Sequence, residues 1–239
     1  MEKRRLWKLD QDTEIGGPQG RFPSTRLSLL EAAAAGLSAE ALESVIALYW
    51  KPVYRFLRVK FGKDNEDAKD LTQSFFAGAL ERDLFGRFDP GKASFRTYLR
   101  MAVERFAAGE HAAARRQKRG GGVAFEPLEE QAVAAESAEE AFEREWQRRL
   151  FDLAIEDLRA QCEEAGTEVR FRVFEAYDLA SGERPSYAEL AARYGIAETS
   201  VTNHLAWARR TLRGLVTERL RSVTSGEQEL RDEMRRLWT

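Results

Sequence analysis

One stretch constrains the chain more than any other, the run from Asp64 to Arg119. Ala68, Leu71, Phe75 and Ala79 recur at helical spacing, so this segment reads as a helix with an apolar stripe. Asp64 can cap its start, with Asp67 three residues on as a capping-box-like partner. Asp67, Asp70 and Ser74 fall on another face, three and four residues apart. One side can therefore enter a core while the other offers carboxylates to a partner. Phe95-Arg96-Thr97-Tyr98-Leu99 follows, then a basic run from His111 through Arg115, Arg116, Lys118 and Arg119. An acidic-faced helix followed by an aromatic and basic one implies two different partners, one positive and one a polyanion.

The net charge of −2 hides this arrangement. Between residues 96 and 119 the charges are mostly positive, and from Glu126 to Glu145 they are almost all negative. Hydrophobic residues make up 43% and charged residues 33%, which permits modest cores under heavily charged surfaces and favours helices over sheets. Cys162 is the single cysteine, so neither an intrachain disulfide nor a cysteine-rich metal site can form. No apolar run approaches the roughly 20 residues that span a bilayer. The start, Met1-Glu2-Lys3-Arg4-Arg5, lacks the apolar stretch of a signal peptide, so a cytoplasmic location is expected. No glycine-rich phosphate loop, metal-ligand cluster or nucleophile with a paired base is present, and Asp89-Pro90-Gly91-Lys92 lacks the glycine spacing of a phosphate loop. The expectation is a non-enzyme with no metal and no cofactor.

Taken in order, residues 1–25 read as a mobile arm broken by glycine and proline, and 26–122 as a first helical domain. Within it a short helix through Leu27, Leu30 and Ala34 precedes one capped by Ser38. That helix carries Leu42, Val45, Ile46, Tyr49, Val53, Phe56, Leu57 and Phe61. Pro52 is expected to kink or restart it, and Gly62 to stop it. Gly120-Gly121-Gly122 marks the domain edge, and 123–141 reads as an acidic linker. Periodicity resumes at Phe142, opening a second domain over 142–216 with Trp146, Leu150, Leu153 and Leu158 on its core face. Inside it, Ser186 and Glu189 form a capping box, Ala191 is small at a crossing, Gly195 permits a turn, and Ile196, Val201 and Leu205 anchor a second helix. This is a helix-turn-helix pattern. Residues 217–239 read as a helical tail. The fold class is all-α, two small helical domains joined by an acidic linker.

Asp67, Ala68, Asp70, Leu71, Gln73 and Phe75, followed by Phe95, Arg96, Tyr98 and Leu99, resemble region 2 of a bacterial RNA polymerase sigma factor of the extracytoplasmic-function type. The similarity is to the subgroup with Asp-Leu-Thr-Gln and two phenylalanines, with Lys-Arg-Gly-Gly-Gly downstream, and the helix-turn-helix lies where sigma region 4 would lie. The resemblance implies docking on core RNA polymerase through Asp67, Asp70, Leu71, Gln73 and Ser74. The partners would be the clamp helices of the largest subunit and the flap of the second. It also implies promoter DNA as a ligand. Arg96, Tyr98, Arg100, Arg105, His111, Arg115, Arg116, Lys118 and Arg119 would serve the −10 element and strand melting, where cations neutralise phosphates and aromatic rings hold unstacked bases. Thr199, Ser200, Thr202, Asn203, His204, Trp207, Arg209 and Arg210 would serve the −35 element, with Asn and Thr suited to base edges and arginines to phosphates.

The chain departs from that family in two places. Lys69 and Ser74 stand where acidic residues are usual, which makes the docking face less negative, and Thr202 and Trp207 stand where basic residues are frequent. A phosphate on Thr72 or Ser74 would add about −1.5 to −2 charges, so a serine/threonine kinase is an expected partner class, as is an inhibitory protein. Two other readings fit parts of the chain: a stand-alone helix-turn-helix regulator of transcription, and an adaptor that binds polymerase without directing transcription.

Overall fold

The computed structural model describes residues 39–89, 91–119, 136–224 and 226–238. The expected N-terminal arm, the short helix near Leu27, the glycine edge at 120–122 and most of the acidic linker lie outside the described residues. Every regular element among the described residues is helical. The described residues divide into two units, one holding 39–146 with 222–229, the other holding 147–221 and 230–238.

The first unit is built on α1 (Ala39–Phe61). Val45, Ile46, Leu48, Tyr49, Val53, Phe56 and Leu57 are all buried, following the three- and four-residue spacing of a helix that meets neighbours on more than one side. Helix α1 runs through Pro52 as one element, so the chain does not restart there. Proline removes one hydrogen bond from the ladder, and the fully buried Tyr49, Val53 and Phe56 around it hold the helix in place. Gly62 ends α1 at a φ of +57°, a conformation that only glycine adopts without strain.

Asp64 then caps α2 (Asn65–Glu81), its Oδ1 accepting from the Asp67 backbone N–H at 2.8 Å. Ala68, Thr72, Phe75, Phe76 and Ala79 turn inward. Phe76 stacks on Trp50 with ring centroids 5.7 Å apart. The connection to α3 turns at Asp83, a non-glycine residue at φ 50° whose carboxylate accepts from the Gly86 N–H, and Asp tolerates that backbone through such local bonds. In α3 (Phe95–Arg119) the residues Phe95, Leu99, Val103 and Ala107 repeat every four positions and are buried.

The helix α4 (Ala138–Glu164) begins four residues before the expected second domain. Its first turns belong to the first unit. Ala138, Ala141, Phe142 and Trp146 are buried, and Phe142 lies 6.4 Å from the Tyr49 ring and 6.1 Å from Phe56. The apolar period at Phe142 is helical, as read, but the core it enters is that of α1.

In the second unit the rest of α4 is followed by α5 (Glu168–Phe174), extended by a π-helical turn over Glu175–Leu179. Next come α6 (Tyr187–Tyr194), α7 (Glu198–Arg221) and α8 (Glu227–Trp238). Leu158, Cys162, Phe171, Phe174, Leu190, Val201, Leu205 and Ala208 form its core. Burial pushes the Cys162 thiol pKa up, which keeps it protonated and unreactive. The capping box at Ser186 and Glu189 is present, and Gly195 makes the turn between α6 and α7 at φ +64°. The helix α7 continues to Arg221, past the domain edge expected at 216, and Arg219 forms a two-point bond to Asp157 at 2.7 and 2.8 Å. The tail helix α8 packs on this unit through Trp238, 5.6 Å from Phe151.

Replacing Phe142 with alanine removes a large ring from a nearly solvent-free position, and we expect a loss of about 3–5 kcal/mol in urea unfolding. A loss below about 1 kcal/mol would place α4's first turns outside the core.

Candidate functional site

Three surfaces gather the polar residues singled out in the sequence. The first is the outer face of α2. Asp67, Asp70, Gln73 and Ser74 are exposed there and Leu71 is half-buried. The inward stripe fixes this orientation, because burying Ala68, Thr72, Phe75 and Phe76 leaves those positions outside. Lys69, the one cation on the helix, reaches back to Glu66 at 2.9 Å. Its charge is thus partly offset within the helix, and the face keeps an acidic character.

Thr72 lies differently from its neighbours. Its side chain is 0% exposed and its hydroxyl donates to the Ala68 carbonyl at 2.7 Å. The expected phosphate acceptor at Thr72 is therefore closed to a kinase while α2 stays folded, for a stated physical reason: the oxygen is inside the core and already bonded. Ser74 is the exposed hydroxyl on this helix face.

The second surface follows α3. Tyr98 donates its hydroxyl to the Leu84 carbonyl at 2.8 Å and packs 5.5 Å from Phe88, and burial raises its phenol pKa. Its ring is thus part of the wall formed by the α2–α3 connection. Arg96 is only 10% exposed. Its Nε donates to Glu143 at 3.0 Å and its guanidinium lies over the Trp146 ring at 3.9 Å, a cation–π geometry. Arg100 and His111 are half-buried and Arg105 is exposed. Arg115, Arg116, Lys118 and Arg119 ride on the last turns of α3, where the side chains lie outside the described residues.

Lys60, at the end of α1, joins this surface without having been read from the sequence. Its ammonium donates to Glu139 at 3.0 Å and pairs with Glu104 at 3.3 Å. The hydrogen bond to Glu139 raises the lysine's pKa and, reciprocally, lowers that of Glu139. The signal was weak in sequence, because Lys60 and Glu139 come together only when α1 and α4 pack.

The third surface is the start of α7. Thr199, Thr202, Asn203 and Arg210 are exposed, and Ser200 is half-buried. Trp207 packs against the core of the second unit, with the Arg170 guanidinium 5.1 Å from its ring centroid. His204 is half-buried; burial, and then the Arg170 charge, lower its pKa. Arg209 makes a two-point bond to Asp178 at 2.8 and 3.0 Å, which raises its pKa and fixes its plane. The surface is thus a small polar edge at the N-terminal half of α7, with Trp207 and Arg209 engaged in holding the helix.

Against known families, the model of sigma-70 region 2 matches residues 45–119, less than half of the chain. The matched residues are α1 from its seventh residue, α2, the connection and α3. Residues 45–119 of the first unit are therefore similar to sigma-70 region 2, and the match supports an RNA polymerase sigma factor role in general, in promoter recognition and transcription initiation. No curated protein and no solved structure matches the chain. Among the described residues, no helix is long and apolar enough to cross a membrane.

Two outcomes follow from this geometry. Thr72→Asp, the usual phosphate mimic, buries an unpaired carboxylate and is expected to cost about 3–5 kcal/mol in urea unfolding, whereas Thr72→Val should cost less than about 1.5 kcal/mol. The lowered His204 pKa favours the neutral imidazole in the folded state. Its contribution to stability is full above the unfolded value near 6.5 and is lost as pH falls through the lower folded value. Thermal melts between mildly alkaline and mildly acidic pH should show the native chain losing more melting temperature on acidification than His204→Gln.

Proposed function

We propose that the chain is a promoter-specificity subunit of RNA polymerase, a sigma factor of the extracytoplasmic-function type, with no catalytic activity of its own. The observation that carries this reading is the pairing of the region 2 match with an outward acidic face on α2, where Asp67, Asp70 and Gln73 are exposed together. That face suits the positively charged clamp helices of the largest polymerase subunit, and rim charges of this kind steer encounter and set complementarity. The basic end of α3, from Arg100 and Arg105 to Arg119, is assigned to phosphates and bases of the −10 element. The second unit is assigned the role of sigma region 4. Thr199, Thr202 and Asn203 would face base edges of the −35 element and Arg210 a phosphate, while the unit approaches the flap of the second polymerase subunit.

Charge regulation fits the same face. Lys69 and Ser74 make it less negative than the family's usual docking surface, and a kinase adding phosphate to the exposed Ser74 would restore the sign. An inhibitory protein covering the face would act in the opposite direction. The workplace of such a subunit is the cytoplasm.

The test is run-off transcription with purified core polymerase on a mixed pool of bacterial promoter fragments. Transcripts should require the protein and fall at least tenfold, a loss of about 1.4 kcal/mol or more, with Asp70→Lys, whose reversed charge faces the clamp. Arg116→Glu should give the same loss while leaving polymerase binding intact. Polymerase binding without transcripts from any template would favour the adaptor reading. Tight promoter binding without polymerase association would favour a stand-alone regulator.

A further inference from the structure

We propose that Lys60 and Arg96 form a two-point site for the backbone phosphates of a DNA strand, and that Glu139 and Glu143 stand in for those phosphates in the free protein. The observation is a matched set of charges. Lys60 Nζ meets Glu139 at 3.0 Å, and Arg96 Nε meets Glu143 at 3.0 Å. The two carboxylates come from one face of α4, four residues and about 6 Å of helix rise apart, a separation comparable to the step between successive backbone phosphates. Arg100 adds to the positive field felt by Glu139.

The cations are built for the task. The Arg96 guanidinium lies over the Trp146 ring at 3.9 Å and is only 10% exposed, so its position is restricted before any ligand arrives. Lys60 Nζ lies over the Phe56 ring, 5.8 Å from its centroid. A carboxylate and a phosphate oxygen accept the same charge-assisted bonds, so exchange preserves the geometry at both cations. The exchange needs only side-chain rotation. Glu139 and Glu143 are each 41% exposed, whereas Phe142 and Trp146 anchor the backbone of the same turns in the core. Helix α4 stays seated while its two carboxylates swing aside. Glu104, 3.3 Å from Lys60 on its other side, sets a second, weaker competitor. The result is a masked polyanion track: the free protein presents the site neutralised, and DNA must outcompete the chain's own carboxylates.

The identity of the polyanion as DNA rests on the sigma reading, and the test separates the two. Full-length protein without polymerase is titrated against a short fluorescent oligothymidylate over a range of salt concentrations. Glu139→Gln with Glu143→Gln should bind about tenfold tighter, and the slope of log affinity against log salt should steepen by about 1.4, the value for two further phosphates on a single strand. Adding Lys60→Gln should remove about half of that gain in slope. Glu104→Gln alone should give a smaller gain in the same direction, and far-UV circular dichroism melts verify that each variant is folded. Unchanged affinity and slope, or a gain that survives Lys60→Gln, would overturn the site. Failure of the sigma reading would appear elsewhere, as absence of polymerase-dependent transcripts from the native chain, with oligonucleotide unmasking intact.

Discussion

The first unit depends on Tyr49. Its ring lies 5.5 Å from Phe95 at the start of α3 and 6.4 Å from Phe142 on α4, edge-on to one and nearly parallel to the other. One side chain of α1 thereby sets where two other helices begin. Burial of such rings is worth more than any other contact in a small helical core, and their preferred geometries add direction to it. From this seat, Leu99, Val103 and Ala107 follow Phe95 into the interior, and α2 closes the far side through Phe75 and Phe76. The outward direction of Asp67 and Asp70 is a consequence of that packing.

Charged residues in this chain serve the fold as well as its surfaces. Arg96 and Arg209 are both engaged by carboxylates, and each is also near an aromatic ring, Trp146 at 3.9 Å and Tyr177 at 5.7 Å. Trp207 joins the second core, and Tyr98 closes the α2–α3 connection. In the second unit the residues left to face a ligand are smaller and fewer than the charge pattern alone implies. On α7 they are Thr199, Thr202, Asn203 and Arg210. In the proposed role, an edge of neutral side chains flanked by one arginine relies on base-edge bonds more than on bulk attraction to phosphate.

What was legible in the sequence follows from the range of each interaction. The Asp64 cap, the Ser186–Glu189 box, the Gly195 turn and the inward stripe of α2 are set by neighbours three or four residues away, and period and capping residue reveal them directly. At Pro52 the missing hydrogen bond is visible in sequence, whereas the burial of Tyr49, Val53 and Phe56 around it, which keeps α1 continuous, depends on tertiary packing. Tyr98, Arg209 and Arg219 owe their placement to partners 14, 31 and 62 residues away, beyond any local pattern. The same holds for Lys60, which meets Glu139 across 79 residues. Thr72 shows the reverse case. Its burial was implicit in the spacing from Ala68 to Phe75 and Phe76, but the motif drew attention to its hydroxyl.

The π-helical turn at Glu175–Leu179 bears on how this chain can vary. A turn of this kind holds one residue more than an α-helical turn, and its end is marked by the Ala180 N–H donating to the Glu175 carbonyl at 2.9 Å. Asp178 reaches Arg209 from within that widened turn, while Arg159 bonds Glu175 at its start. Removing one residue here would rewind the turn to the α form and rotate Asp178 by roughly 100° about the axis, off its partner. Length changes are therefore tolerated unequally along the second unit. The exposed bends at 181–183 can absorb insertions, but the five residues before them act as a spacer of set length, and lineages that alter it must find another way to hold α7.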